Sequence, residues 1–341
     1  MRLAFIVDPL GSFRIYKDST YAMMREAQRR GHEVWACEPQ HLALVDGEVR
    51  ASLQQLQLAG IDPHSEPHGP RSDWFAITQE ADLALTEFDA VLNRKDPPFD
   101  LEYVATTWLL SHAQAAGACI VNDPQAVRDH NEKFAISEFA QFMTPTLVTR
   151  DAARIAAFQK VHHDIIIKPL DGMGGMGIFR VQADALNLAS IIETLGHNGA
   201  RTLMAQRYIP AIADPVAGGD KRILLIDGEP VPFALARIPK AGETRGNLAA
   251  GGTGVARPLT DHDWKIARAL GPTLAARGLL LVGLDVIGEH LTEVNVTSPT
   301  CFREIMDQTG FDVAAMLLDA VERTAERTAE RTAETVQGAS T

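Results

Sequence analysis

The chain reads as an α/β protein: a doubly wound first domain followed by two smaller units of strands and helices. Three observations predict this. Apolar strand-length runs alternate with helical segments as far as Val121, the pattern of layered α/β folds. The β-branched run Ile165-Ile166-Ile167 breaks into glycines and resumes as Ile178-Phe179 and Val181, which is strand, glycine flap, strand. Further on, 281–287 and 291–296 form an apolar hairpin with polar side chains at intervals. At 341 residues and 46% hydrophobic content, the chain is long enough for two or three modest cores.

Taken in order, 3–7 is a buried-strand pattern, stopped by Asp8-Pro9 before it could be a signal or membrane segment. A helix over 19–30 follows, ended by Gly31, and 33–37 returns as a strand. Residues 89–93 form another strand, with the rigid polar loop Arg94-Lys95-Asp96-Pro97-Pro98-Phe99-Asp100 at its end. A helix near 102–116, Gly117 and a strand over 118–121 complete this domain, in which ligands are expected at the carboxyl ends of strands. Asn122-Asp123-Pro124 marks a turn, a helix start and the domain boundary; the helix is expected to carry Asn131-Glu132-Lys133. The next unit runs through the flap to Gln206. The third opens with the hairpin 221–226, Asp227-Gly228, 231–237. The segment 238–258 has no periodicity and is dense in glycine, alanine and arginine, as active-site lids or disordered insertions are. From Glu322 the tail repeats Glu-Arg-Thr-Ala; a four-residue period drifts around a helix, so a solvated or frayed helix without core is expected.

The net charge of −12 argues against broad nucleic-acid binding or an anionic membrane surface, so any phosphate site must be a local basic pocket. Cys37, Cys119 and Cys301 are too widely spaced for a disulfide framework or a zinc set. A soluble cytoplasmic protein is expected. In the flap, glycines allow positive φ and close backbone approach, and Lys168 adds a point charge; together they could clamp an anion, although an ordinary glycine-rich hairpin has the same pattern. No Lys-Ser/Thr follows, as a Walker loop requires. No helix follows, as a dinucleotide fingerprint requires, and no kinase signature lies downstream.

If the turn of the 281–296 hairpin has three residues, Asp285 pairs opposite Glu293, and Asn295 shares their face. Two carboxylates and an amide oxygen suit Mg²⁺ or Mn²⁺ shared with phosphates. A solvated polar face is the alternative. It suits Asp285 poorly, because a carboxylate within an apolar run is costly without a cation. Cys301 lies in no nucleophile motif.

Together, these features resemble the ATP-grasp ligases, and within them the chain is similar to the prokaryotic glutathione synthetases. The resemblance is carried by 94–100, by Lys168-Pro169-Leu170-Asp171-Gly172-Met173-Gly174-Gly175, by Gly242-Glu243-Thr244-Arg245-Gly246-Asn247-Leu248-Ala249-Ala250-Gly251-Gly252, and by Leu291-Thr292-Glu293-Val294-Asn295-Val296-Thr297-Ser298-Pro299-Thr300. It covers nearly all of 3–320; Thr253 stands where the family is often basic, and the tail repeat lies outside the pattern. The resemblance implies an ATP-grasp fold. Residues 1–123 would be an N-terminal doubly wound domain, 124–205 a subdomain with the flap, 206–320 a subdomain with the metal site and a mobile loop at 238–258, and 321–341 a tail. The nucleotide would lie between the two subdomains.

The implied activity is ATP-dependent ligation of γ-glutamylcysteine to glycine through an acyl phosphate. By similarity, Lys133 and Lys168 hold ATP phosphates, Gly174 and Gly175 close over them, and Gln206, Tyr208 and Ile209 read adenine. Asp285, Glu293 and Asn295 hold two Mg²⁺ ions, with Mn²⁺ as the alternative metal. Arg222 and Arg237 act in catalysis, and Arg245, Ser298, Pro299 and Thr300 gather substrate carboxylates. The implied partners are these small molecules, with no nucleic acid or membrane, in a homo-oligomer. Another carboxylate–amine ligase and a nucleotide-binding regulator are the competing readings.

Overall fold

The protein is described from a computed structural model, which covers residues 1–65, 69–214, 218–240, 246, 248 and 251–338. Three sheets organise it. The first contains β1 (Arg2–Ile6), β2 (Glu33–Cys37), β3 (Leu42–Val45), β4 (Glu48–Leu58), β5 (Phe75–Ala84), β6 (Ala90–Asn93) and β7 (Ile120–Val121). Its centre is parallel, β2-β1-β6-β7, with α1 (Ser19–Arg29) and α2 (Leu101–Ala115) as crossovers. Asp18 and Asp100 cap these helices by accepting from Tyr21 N–H and Tyr103 N–H. An antiparallel ribbon, β3-β4-β5, extends the sheet beyond β2. Sequence pattern left this ribbon unread, because most of β5 is exposed and its ladder to β4, rather than an apolar stripe, holds it.

A short α3 (Pro124–Asp129) leads to the second sheet, ordered β10-β9-β11-β8 from β8 (Thr146–Thr149), β9 (Ile165–Pro169), β10 (Phe179–Val181) and β11 (Leu203–Arg207), with α4 (Ala152–His162) and α5 (Leu188–Leu195). Asn131-Glu132-Lys133 does not continue α3 as expected. Asn131 Oδ1 accepts from Lys133 N–H (3.2 Å) and Phe134 N–H (3.0 Å), so the segment turns and starts the next helical stretch instead.

The third sheet is ordered β14-β13-β12-β15-β16: β12 (Asp220–Ile226), β13 (Glu229–Ile238), β14 (Thr253–Pro258), β15 (Leu281–Ile287) and β16 (His290–Asn295). With it go α6 (Asp261–Ala276), α7 (Phe302–Thr309) and α8 (Val313–Gly338). The segment expected as one aperiodic loop over 238–258 therefore ends as an edge strand. Pairing with β13, from Ile238↔Thr253 to Phe233↔Pro258, supplies the order that side-chain pattern lacks.

One large buried cluster joins the first and third sheets: Leu3, Phe5 and Leu92 pack with Leu224, Leu235, Phe302 and Leu317. Asn122, a turn residue by sequence, links the two. Its Nδ2 donates to Leu281 O (2.8 Å) and Val296 O (2.9 Å), and its Oδ1 accepts from Leu281 N–H (2.8 Å). Asn122→Ala would strand three buried backbone groups, so a loss of about 3 kcal/mol in urea unfolding is expected. The tail differs from expectation. It is helical, but Ala325 is buried in the shared core, and Glu322 contacts His32 (2.7 Å) and Arg30 (3.1 Å). No helix among the described residues is long and apolar enough to cross a membrane.

Candidate active site

The register of the third sheet gathers charge on one face. Cross-strand partners are Asp220↔Arg237, Arg222↔Asp285 and Asp285↔Glu293, and side chains two apart share a face. The β15–β16 turn has two residues, not three: Ile287 pairs with His290. A bulge at Thr292 supplies the extra residue and restores Asp285 opposite Glu293.

Arg222 grips Asp285 with both arms of its fork, Nε to Oδ1 at 2.5 Å and Nη2 to Oδ2 at 3.1 Å, while Arg237 Nη2 reaches Oδ2 at 2.8 Å. Gly283 makes room for this: a Cβ there would lie 2.9 Å from Arg222 Cδ. The cation that accommodates the Asp285 charge in its apolar run is thus a pair of guanidiniums. Burial pushes the Asp285 carboxyl up, but Arg222 and Arg237 outweigh it and hold it well below the usual carboxylate range. Asp220 goes the other way. Burial raises it to about 7 against the pull of Arg237, whose Nη2 contacts Oδ2 at 2.5 Å, and its buried Oδ1 has no hydrogen-bond partner among the described residues.

Two cavities meet at Glu293. The first is bordered by Lys133, Lys168, Gly174, Gly175, Gln206, Tyr208, Ile209 and Glu293, so all of the expected nucleotide residues converge. Lys133 Nζ and Lys168 Nζ lie 3.6 and 3.8 Å from Glu293 Oε1, and Lys133 also donates to Gly172 O in the flap. Burial lowers the Lys168 pKa, opposed by Glu293 and reinforced by Lys133. Two buried ammoniums facing one carboxylate leave an excess of positive charge, suited to phosphate. The opposite end is apolar, with Ile166, Ile178 and Ile212. There Tyr208 N–H is committed to Asp164 O (2.9 Å), and Ile209 O accepts from Ile212 N–H (3.2 Å). This assigns any backbone reading of a base to the remaining hinge groups. The flap glycines Gly174 and Gly175 have φ of 60° and 83°, a region that favours glycine.

The second cavity, about 540 Å³, is bordered by Arg222, Arg237, Asp285, Glu293, Asn295, Ser298 and Thr300. It opens at the carboxyl ends of β1 and β6, where doubly wound sheets place ligands. Pro299 is not on its wall; its carbonyl accepts from Arg94 Nη2 at 2.9 Å. Arg245 lies outside the described residues. Cys301 borders this cavity, and burial raises its thiol to about 11, which disfavours the thiolate.

Three residues that sequence reasoning missed support these walls. Buried Arg94 joins Thr20 Oγ1 (3.2 Å) to the 298–300 turn. One carboxylate oxygen of Glu132 accepts from Val296 N–H (2.9 Å), Thr297 N–H (3.1 Å) and Thr297 Oγ1 (2.8 Å), fixing the end of β16 beside Lys133. Asp220 had a signal: Asp-x-Arg leading into an apolar strand puts both charges on one face. Glu132 had none, because its partners are 164 and 165 residues away.

The donor set suits a hard cation. Asp285, Glu293 and Asn295 offer oxygens on one face, and Asn295 spends its Nδ2 on Gly283 O (3.1 Å), leaving Oδ1 as its acceptor. Among the described residues no three His, Cys, Asp or Glu side chains could hold a metal by themselves.

A glycine flap over paired lysines, facing a sheet of acidic and arginine side chains across a cleft, defines an ATP-grasp ligase. Solved structures share the fold. D-cycloserine synthetase DcsG is 18% identical with a TM-score of 0.65, covering 96% of this chain and all of that one. The ATP-grasp ligase PsnB, solved with minimal precursor, Mg and ADP, is 18% identical with a TM-score of 0.59, covering 95% and 98%. The chain belongs to the prokaryotic glutathione synthetase family, whose N-terminal domain matches residues 1–128 and whose ATP-grasp domain matches residues 132–310. Glutathione synthetases similar to it include that of Ralstonia nicotianae, 60% identical over 325 residues, 95% of this chain and 96% of that protein. That of Nitrosomonas europaea is 56% identical over 323 residues (95% and 98%). That of Escherichia coli O157:H7 is 51% identical over 322 residues (94% and 98%).

Proposed function

We propose that this site joins γ-glutamylcysteine to glycine, converting ATP to ADP and phosphate and releasing glutathione. The observation that carries the reading is Glu293, standing where a lysine-lined cavity and an arginine-lined cavity meet. A phosphoryl donor in the first would face an acceptor carboxylate in the second. Phosphoryl transfer needs mainly positioning and charge neutralisation, and these side chains provide both.

In the first step a cysteinyl carboxylate oxygen attacks the γ-phosphorus and the β–γ bond breaks, giving ADP and an acyl phosphate. In the second, the neutral glycine amine attacks the acyl carbon, phosphate leaves, and the amine proton is lost. Lys133 and Lys168 hold the phosphates, the Gly174-Gly175 flap covers them, and the Gln206–Ile209 segment holds the base. Arg222 neutralises the transferring group, with Arg237 behind it, and Ser298 and Thr300 orient substrate carboxylates. Mg²⁺, held by Glu293, Asn295 and Asp285, would supply charge neutralisation at the phosphate oxygens. The segments 124–205 and 206–320 act as the two jaws.

Gly246 borders the first cavity and Leu248 the second, which supports a lid role for their loop. A lid matters because an acyl phosphate hydrolyses in water. The test is phosphate release from ATP: turnover should require both γ-glutamylcysteine and glycine, and turnover that persists without either one would sink the proposal.

A further inference from the structure

The second cavity extends well past the reacting centre, and its far wall holds two carboxylates, with Arg14, Lys17 and Arg94 on the same wall. Asp18 precedes α1 and Glu304 lies in the first turn of α7; both border the cavity. The two helix starts touch, Phe302 N–H donating to Ser19 Oγ at 3.2 Å. Asp18 spends Oδ1 on Tyr21 N–H (2.8 Å), whereas the buried Glu304 Oε2 has no hydrogen-bond partner among the described residues. Among the described residues neither carboxylate makes an ion pair; burial raises both pKa values, Asp18 to about 6, against the pull of Arg94 on Asp18 and of Lys17 on Glu304. Their neighbours are already satisfied: Asp8 contacts Lys95 Nζ (2.8 Å) and accepts from Asp96 N–H (2.9 Å), and Glu132 holds the end of β16.

Two half-buried carboxylates that border a ligand cavity without an ion pair are placed to take a cation from the ligand. On the reading above, the acceptor carboxylate lies beside Glu293, so the dipeptide must run away from it. Its other end carries the only ammonium of the acceptor substrate. We propose that Asp18 and Glu304 receive the α-ammonium of the γ-glutamyl group, and so select an amino-acid head over a plain acyl chain. This rests on the proposed function.

The test compares γ-glutamylcysteine with N-glutarylcysteine, which has the same chain without the ammonium, in wild type, Asp18→Asn and Glu304→Gln. The ratio of kcat/KM values within each variant is the readout, so general damage to the fold or to catalysis cancels. The Asp18→Asn change keeps a side-chain oxygen that can cap α1, which favours a folded variant. Wild type is expected to prefer γ-glutamylcysteine by about 10- to 100-fold, the size of a charge-assisted hydrogen bond. Each variant should lose most of that preference with KM for ATP unchanged. A wild type indifferent to the ammonium, or two variants with the wild-type ratio, overturns the proposal. A change in one variant alone overturns the shared role. Absence of any wild-type turnover with γ-glutamylcysteine and glycine instead overturns the proposed function.

Discussion

Glu293→Gln is expected to lower kcat by about 10²- to 10³-fold while leaving the protein folded. Its side chain is 19% exposed and its ion pairs with Lys133 and Lys168 are long, at 3.6 and 3.8 Å. Both lysines are buried, so loss of the charge costs some stability, but less than breaking the short, two-pronged Asp285 contacts would. The same negative charge stands at the junction of the two cavities, where it would hold Mg²⁺ against transferring phosphate. Glutamine keeps the shape and removes the charge. Steady-state kinetics across a Mg²⁺ titration, with a thermal melt alongside, provide the check. Near-normal kcat at saturating Mg²⁺ would remove Glu293 from the metal set.

Asp285→Ala should differ in kind, abolishing activity and also costing about 3–5 kcal/mol of stability. Arg222 and Arg237 are both buried, at 7% and 4% exposure, and Asp285 neutralises both. Removing it leaves two buried guanidiniums, with Asp220, beside Arg237, as the one remaining carboxylate partner among the described residues. Urea unfolding of the two variants side by side separates the roles. A wild-type midpoint for Asp285→Ala would show that the arginine–aspartate cluster carries no structural weight.

The elements with strong local signals were readable from the chain. The flap could be placed because glycine is the residue that tolerates positive φ, and its flanking strands are β-branched. The β15–β16 hairpin could be placed because period-two alternation puts Asp285, Glu293 and Asn295 on one face. Even so, the turn length was misjudged, and the pairing of Asp285 with Glu293 depends on the Thr292 bulge. The β3-β4-β5 ribbon and β14 were not readable. Their order comes from ladder hydrogen bonds to a neighbouring strand, which leave little trace in side-chain pattern. The break at Asn131 was missed because a helix-compatible stretch was taken at its propensity, and a side-chain oxygen ended it.

The sequence by itself determined the class of chemistry through its resemblance to the ATP-grasp ligases, carried by the glycine flap, the acidic hairpin and the segments quoted with them; residue type and spacing alone offered a candidate anion clamp and a candidate hard-cation face. Only the tertiary structure decided what balances each charge. Asp285 stands out in the sequence as a carboxylate within an apolar run, and sheet register places Arg222 and Arg237 against it. Asp18 and Glu304 belong to no motif in the sequence, and they face a cavity with no ion-pair partner among the described residues. The physical reason is that the cost of a charge depends on its desolvation and its nearest partners, and those partners are brought together by sheet register and helix packing between residues far apart in the chain.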